Sequence, residues 1–370
     1  MIKKWGGIRL RILFCSEGFI LDGVASYHLH MAVAFKKMGH EVGILGRWLG
    51  FNGYQSRFRE NGVQVLSYVS PFVTSSAALG LARDFAPDVL ISDSRRAFPL
   101  ALEIHERTGT PIITIFMDPP QNKEKKGRRL REIDAFSVAW VSPERSLCEK
   151  MSALNPSVPI RQIRRAVVED CMVLKPILPR DPFSILCLGR LSKYKTPGLL
   201  AVFEDAPLLR KRIPSVRITA VGGGWRRSFF TKAALKANIS AGERYVRTVG
   251  YQPDPAPWFA ESNVVCSGST CVIESILCNR PVIAVSAYWF GLVTPANLDD
   301  AIACYYGERG GHFPAWQEPK RVTESLLNLY ENWDVEQLAA DMKHMRDRFL
   351  PLFDPATAVR EWEELFDSVL

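Results

Sequence analysis

The sequence predicts an α/β protein of two doubly wound domains, each a mostly parallel sheet with helices on both faces. Three observations lead there. Short apolar runs of strand length alternate with longer amphipathic stretches, the alternation stops at a proline-bearing segment from Cys171 to Pro182, and it then starts again. A chain of 370 residues, 47% hydrophobic and 23% charged, holds enough apolar material for two cores of ordinary size.

In the first half, Arg11 to Cys15, Val42 to Leu45, Val63 to Ser67, Asp88 to Ile91, Pro111 to Phe116 and Ala135 to Val141 read as buried strands. Helices are expected over Val24 to Met38, Ser75 to Phe85, Ala97 to Arg107 and Pro143 to Met151. Gly39 ends the first helix, Gly109 ends the one before Pro111, and Pro87-Asp88 opens a strand. Such β-α-β alternation places a ligand crevice at the carboxyl ends of the strands.

Cys171 to Pro182 contains Pro176, Pro179 and Pro182, shows no period, and reads as an interdomain linker. Beyond it, strands are expected at Ser184 to Leu188, Val216 to Val221, Tyr245 to Val249, Asn263 to Cys266 and Pro281 to Val285. Helices are expected at Pro197 to Arg212, Trp225 to Asn238, Thr270 to Cys278 and Pro319 to Glu331. From Val335 onward the pattern is helical, with breaks expected at Pro351 and Pro355. In the last segment Val359, Trp362, Leu365, Phe366 and Val369 make an apolar face suited to docking on the first domain.

A net charge of +8 and a pI of about 9.1 favour an anionic partner: a nucleotide, a phospholipid surface or nucleic acid. The eight cysteines show no metal-site or redox spacing, and several sit in apolar runs, as Cys15 and Cys187 do. They read as reduced core thiols of a cytoplasmic protein. No stretch approaches the roughly 18 apolar residues of a membrane span, so a soluble or peripheral protein is expected.

Two runs concentrate chemistry. Gly189-Arg190-Leu191-Ser192-Lys193-Tyr194-Lys195-Thr196-Pro197-Gly198 follows a strand and precedes a helix. Arg190 and Lys195 there suit a diphosphate that gains charge as a glycosidic bond breaks, or else line a solvated basic loop. Cys266-Ser267-Gly268-Ser269-Thr270-Cys271-Val272-Ile273-Glu274 also runs from a strand into a helix. Small residues and free amides at a helix start suit phosphate, and Glu274 suits ribose hydroxyls. Ser269 or Thr270 as a plain N-cap, and Glu274 as an acid favouring the helix dipole, are the competing readings.

Weaker signals accompany them. His28 and His30 lie on the first helix, as substrate contacts or packed residues. Asp93 and Ser94 end a strand, as an acceptor contact or a turn cap. Gly222-Gly223-Gly224 follows a strand as a phosphate loop does. Lys123 to Arg131, with Arg161, Arg164 and Arg165, and Trp48, Phe51, Tyr54 and Phe58 near Arg47, Arg57 and Arg59, are ingredients for contact with an anionic lipid or a charged acceptor, or for an exposed basic loop.

The ordered set of motifs resembles the retaining glycosyltransferases of family 4, also called group 1, which have the GT-B fold. Besides the run from Gly189 to Gly198, the resemblance rests on Gly23 through Ala32 to Gly39-His40-Glu41-Val42, and on Pro87-Asp88-Val89. It continues through Ile218 to Gly224, Val249-Gly250-Tyr251, and Ile273-Glu274 followed by Asn279-Arg280-Pro281-Val282-Ile283. It implies two Rossmann-like domains facing a central cleft. Residues 1–175 would hold the acceptor, residues 176–350 the nucleotide sugar, and residues 351–370 a helix packing back on the first domain.

It also implies roles. Arg190 and Lys195 would bind the donor diphosphate, Glu274 would hold the ribose and backbone near Tyr251 the base, with Gly189, Ser269 and Thr270 also in the donor site. Gly23 would allow close approach of the transferred sugar or acceptor. Glu274 fits the second of the family's two glutamates, while the first falls on Cys266. The family histidine of the first domain falls on Met117, with Asp118 beside it as the candidate catalytic group. The implied activity is metal-independent, cofactor-free, retaining sugar transfer from a nucleoside diphosphate sugar to a glycan, lipid-linked or small-molecule acceptor, in the cytoplasm or peripherally at the inner face of the membrane. Nucleic acid is not the expected partner. The alternatives are a nucleotide-sugar epimerase of the same fold, or a catalytically silent nucleotide-sugar or nucleic-acid binding protein.

Overall fold

The structure, a computed structural model, describes residues 9–18, 23–47, 54–70, 75–120, 124–167, 174–193, 195–252, 254–308 and 320–370. The chain divides into two compact units: residues 1–168 with 352–370, and residues 169–351. The expected boundary at 175/176 lies further on than this division. The reason is visible at Lys175 and Pro176, whose carbonyls accept hydrogen bonds of 2.8 Å from Asn279 and Arg280 of the second unit.

In the first unit the elements run β1 (Arg11–Gly18), α1 (Gly23–Lys37), β2 (Glu41–Arg47), α2 (Tyr54–Glu60), β3 (Gln64–Tyr68), α3 (Ser76–Phe85) and β4 (Val89–Asp93). There follow α4 (Phe98–Thr108), β5 (Ile112–Ile115), α5 (Glu124–Phe136), β6 (Ser137–Ser142), α6 (Arg145–Ser152) and β7 (Ile160–Gln162). The sheet order is β3-β2-β1-β4-β5-β6-β7, parallel throughout. Strand order reverses between β1 and β4. Helix α5 was not expected from the sequence, because its charged run hides a thin apolar signal in which Ile133 is buried and Leu130 packs on the core.

The second unit contains β8 (Ser184–Leu188), α7 (Pro197–Glu204), α8 (Ala206–Arg212), β9 (Arg217–Val221), α9 (Arg227–Ala241), β10 (Val246–Gly250) and α10 (Ala256–Ala260). It continues with β11 (Val264–Ser267), α11 (Thr270–Leu277), β12 (Val282–Val285), β13 (Trp289–Leu292), α12 (Leu298–Ala303), α13 (Lys320–Glu331) and α14 (Val335–Phe353). Its sheet order is β10-β9-β8-β11-β12-β13, parallel except for β13, which pairs antiparallel with β12. The reversal here falls between β8 and β11.

Two helical expectations need correction. The stretch from Pro197 to Arg212 is two helices, because Pro207 has no N–H to continue the ladder to Phe203. Pro351 lies inside α14, and the break comes at Asp354. The Asp354 carboxylate accepts from the Thr357 amide at 2.7 Å and caps α15 (Pro355–Val369). That helix belongs to the first unit. Phe35 of α1 meets Trp362 and Phe366 of α15, with ring centroids 5.9 Å apart in both pairs. Cys15, Cys187, Cys266, Cys278 and Cys304 are buried free thiols, and Cys148 and Cys271 are half-buried; Cys171 lies outside the described residues.

Candidate functional site

The carboxyl ends of the second unit's strands are fastened to one another, and the fastening uses the residues singled out above. Gly189, directly after β8, has φ +146° and donates its amide to Val221 O of β9 at 3.1 Å. The Leu191 amide reaches Gly223 O at 2.9 Å. The three glycines after β9 are therefore required by packing. A β-carbon at Gly222 would overlap the carbonyl oxygen of Gly189, and one at Gly224 would lie 2.8 Å from the carbonyl carbon of Leu191. Both glycines have positive φ, +150° and +141°, which side-chain-bearing residues rarely adopt. The Gly222 amide in turn reaches Gly250 O at 2.7 Å, and Tyr251 follows with its β-carbon beside Gly223.

On the other side of β8, Ser267 Oγ donates to Leu188 O at 2.6 Å and closes the switch point between β8 and β11. Gly268 packs so tightly against Ser286 that a β-carbon at 268 would stand 3.1 Å from the Ser286 hydroxyl oxygen. Ser286 Oγ donates to Glu308 Oε2 at 2.7 Å, and Lys195 Nζ stands 2.8 Å from Glu308 Oε1. The contacts lead from the loop after β8 through Ser267, Gly268, Ser286 and Glu308 back to that loop at Lys195.

At the head of α11, Ser269 has φ 60° and ψ −135°. This strained conformation is one that non-glycine residues rarely hold outside functional loops. Ser269 stands at the N-cap position, but its side chain makes no capping hydrogen bond, so the plain capping reading fails for it. Thr270 is 6% exposed and its Oγ1 has no hydrogen-bond partner among the described residues. A buried hydroxyl left without a partner costs on the order of 1–3 kcal/mol. With the uncapped helix start, it forms a donor cluster suited to a phosphate oxygen. Glu274 is 8% exposed and stands beyond the first turn of α11, so it is not a surface acid at the helix end.

Arg190 is exposed beside Gly189, whereas Lys195 is half-buried on Glu308. Behind the site the thiols of Cys187 and Cys266 face each other in register across β8 and β11. The hydrogen bond between them and burial raise the Cys187 pKa well above the usual thiol range. Among the described residues no group of three or more His, Cys, Asp or Glu side chains is placed to hold a metal ion.

Sequence reasoning missed Glu308 and Ser286. Glu308 is brought in by three successive residues with left-handed backbones, Tyr305, Tyr306 and Gly307, at φ 49°, 56° and 80°. No periodicity announces such a turn.

In the first unit, Asp118 follows β5 and forms an ion pair with Arg95. Asp93 acts as a turn cap: its Oδ1 accepts from the Arg95 and Arg96 amides at 2.9 and 3.2 Å. His28 is fully buried against Phe14, with ring centroids 5.1 Å apart, so the packed reading holds for it. Gly23 opens α1, and among the described residues nothing beyond its own chain neighbours and helix backbone lies within 4 Å of where its β-carbon would be.

Of the basic and aromatic residues, Phe58 and Arg165 are buried and unavailable to a surface. Arg47 pairs with Glu17 at 3.2 Å. Trp48, Phe51, Lys123 and Tyr194 lie outside the described residues, as do the side chains of Tyr54, Lys125 and Lys126.

Residues 182–304 match the family described as Glycosyl transferases group 1. No curated protein matches the sequence significantly. Among solved structures, Anabaena HepE in complex with UDP and glucose is similar at 14% identity and TM-score 0.71, over 97% of this chain and 100% of that one. A glycosyltransferase from Rickettsia africae is similar at 15% identity and TM-score 0.67, over 98% of each chain. Sucrose-phosphate synthase from Thermosynechococcus elongatus is similar at 15% identity and TM-score 0.66, over 96% of this chain and 99% of that one. With two parallel-sheet, Rossmann-like units, the chain has the GT-B fold, and over residues 182–304 its sequence matches the group 1 glycosyl transferases.

Proposed function

We propose that the protein transfers a hexosyl group from a nucleoside diphosphate sugar, with a uridine diphosphate sugar as first choice, to a glycan, lipid-linked or small-molecule acceptor. The observation that carries this reading is the fastened ring at the β8–β11 switch point. There Lys195 is linked through Glu308 and Ser286 to Gly268, which lies just before the uncapped start of α11 and the Thr270 hydroxyl, and Lys195, Gly268 and α11 all fall within the segment that matches group 1 glycosyl transferases. The UDP and glucose held by Anabaena HepE support the choice of donor.

In this reading the bond between the anomeric carbon and the diphosphate oxygen breaks, and its electron pair leaves with the diphosphate. Arg190, Lys195, Ser269, Thr270 and the α11 amides stabilise that charge, taking the role a divalent ion plays elsewhere. Glu274 holds the ribose, backbone at Tyr251 the base, and Gly189 leaves room for the phosphates. The acceptor hydroxyl oxygen bonds the anomeric carbon with net retention and gives up its proton, for which Asp118 is the proposed acceptor; Gly23 admits the sugar or acceptor. A lipid-linked acceptor would place the protein peripherally at the inner face of a membrane. No helix among the described residues is long and apolar enough to cross one.

Thermal unfolding with a panel of nucleotides and nucleotide sugars tests this reading, followed by donor-hydrolysis assays on those that bind. Free UDP at about 100 times its Kd should stabilise the fold by about 2.7 kcal/mol. If no nucleotide or nucleotide sugar shifts the midpoint, the reading is wrong.

A further inference from the structure

Helix α9 carries a surface that sugar transfer does not account for. It packs on its unit through Phe230, Ala234 and Ala237, with Phe230 against Phe203 at 5.1 Å. On the opposite face Phe229, Leu235 and Ile239 are 53%, 59% and 71% exposed, and Trp225, just before the helix, is 98% exposed. At about 100° per residue these three helical positions fall within roughly 120° of arc, with Lys232 and Lys236 between them. Both lysines are exposed, and the Arg226 guanidinium stacks on the Phe229 ring at 5.4 Å. The helix contains no acidic residue. Beside it lies α8, also free of acids, with Leu208 exposed.

Single exposed apolar residues need no explanation, but large ones gathered on one helix face mark a contact surface. Interspersed lysines and a fully exposed tryptophan fit a lipid headgroup layer, which is anionic outside and apolar beneath. The basic helix α5 fits less well, since Arg128 and Arg129 already pair with Glu132 at 3.7 and 3.3 Å.

We propose that Trp225 and the outer face of α9 are the surface by which this protein lies on an anionic membrane. The assignment rests on the peripheral-membrane reading above. The bilayer would then lie next to the loop of Gly222 to Gly224, at the carboxyl ends of the strands.

Sedimentation with phosphatidylglycerol–phosphatidylcholine vesicles and with pure phosphatidylcholine vesicles tests it. The wild type should sediment with the anionic vesicles only, and less as salt rises, since screening shortens the reach of exposed charges. A Trp225→Ser/Phe229→Ser/Ile239→Ser variant should lose about tenfold or more in vesicle affinity with an unchanged unfolding midpoint. Lys232→Glu/Lys236→Glu should abolish the preference for anionic vesicles. Arg128→Ala/Arg131→Ala should bind as the wild type does.

A wild type that ignores anionic vesicles overturns the membrane reading and this assignment with it. A wild type that binds while the serine variant binds equally well overturns the assignment alone. So does concentration-dependent dimerisation that the serine variant abolishes without any vesicle binding, for the face would then belong to a second copy.

Discussion

Lys195 Nζ lies 2.8 Å from one carboxylate oxygen of Glu308, and the other oxygen of that carboxylate takes a 2.7 Å hydrogen bond from Ser286. A flexible ammonium is thereby held at the edge of the β8–β11 switch point. Alanine at Arg190 or Lys195 should lower kcat/KM by roughly 10²- to 10³-fold, the scale for removing one electrostatic contact to a developing charge. Glu308→Ala should weaken UDP binding about tenfold in the wild type, and by much less when Lys195 is already alanine, which a double-mutant cycle reads directly. Glu308→Gln still accepts from Ser286 and should recover part of the loss. Equal losses in both backgrounds would mean that Glu308 only supports the fold.

Glu274 should behave differently from the cations. Ribose contacts are present before and during bond breaking, so Glu274→Ala should raise the donor KM while leaving kcat within a few-fold. Steady-state kinetics with circular dichroism as a folding check decides this. A fall in kcat at unchanged KM would assign Glu274 to the chemical step.

Gly222→Ala should be among the most damaging small substitutions in the second unit. Its β-carbon would overlap the Gly189 carbonyl at a φ of +150°. Backbone cannot step aside as a side chain can, so a cost of about 2–4 kcal/mol is expected from overlap and strain together. Among the described residues a β-carbon at Gly223 would meet only the Tyr251 β-carbon, at 3.5 Å, so Gly223→Ala should cost far less. Urea unfolding of the two variants compares them.

Acid should destabilise the first unit through His28, whose pKa burial lowers to about 3. The unfolded chain takes up that proton near pH 6.5 and the folded one only near pH 3, so between these values the unfolded state holds more protons. Stability should fall on acidification below about pH 6.5, by about 1.4 kcal/mol per pH unit from this residue. His28→Leu should flatten that part of the profile. An identical slope between pH 7 and 5 in both proteins would show that His28 is charged when folded.

The two βα repeats and most of their strand positions were legible in the sequence, because a buried parallel strand must be an apolar run whatever surrounds it. Ser184 to Leu188 was expected as a strand and is one to the residue. Gly189, Arg190, Lys195, Ser269, Thr270 and Glu274 could be picked out for a related reason: a strand followed by small or basic residues and then a helix is a local pattern.

Tertiary structure alone decided which groups stand against these residues. Glu308 reaches Lys195 through a turn of three left-handed residues, and Ser286 reaches Gly268 from the end of another strand. Neither pairing leaves a mark on hydrophobic periodicity, which records burial against the core and is silent about partners far apart in the chain. The same limit hid the exposed face of α9, whose apolar residues look like core residues until the fold shows which side of the helix is covered.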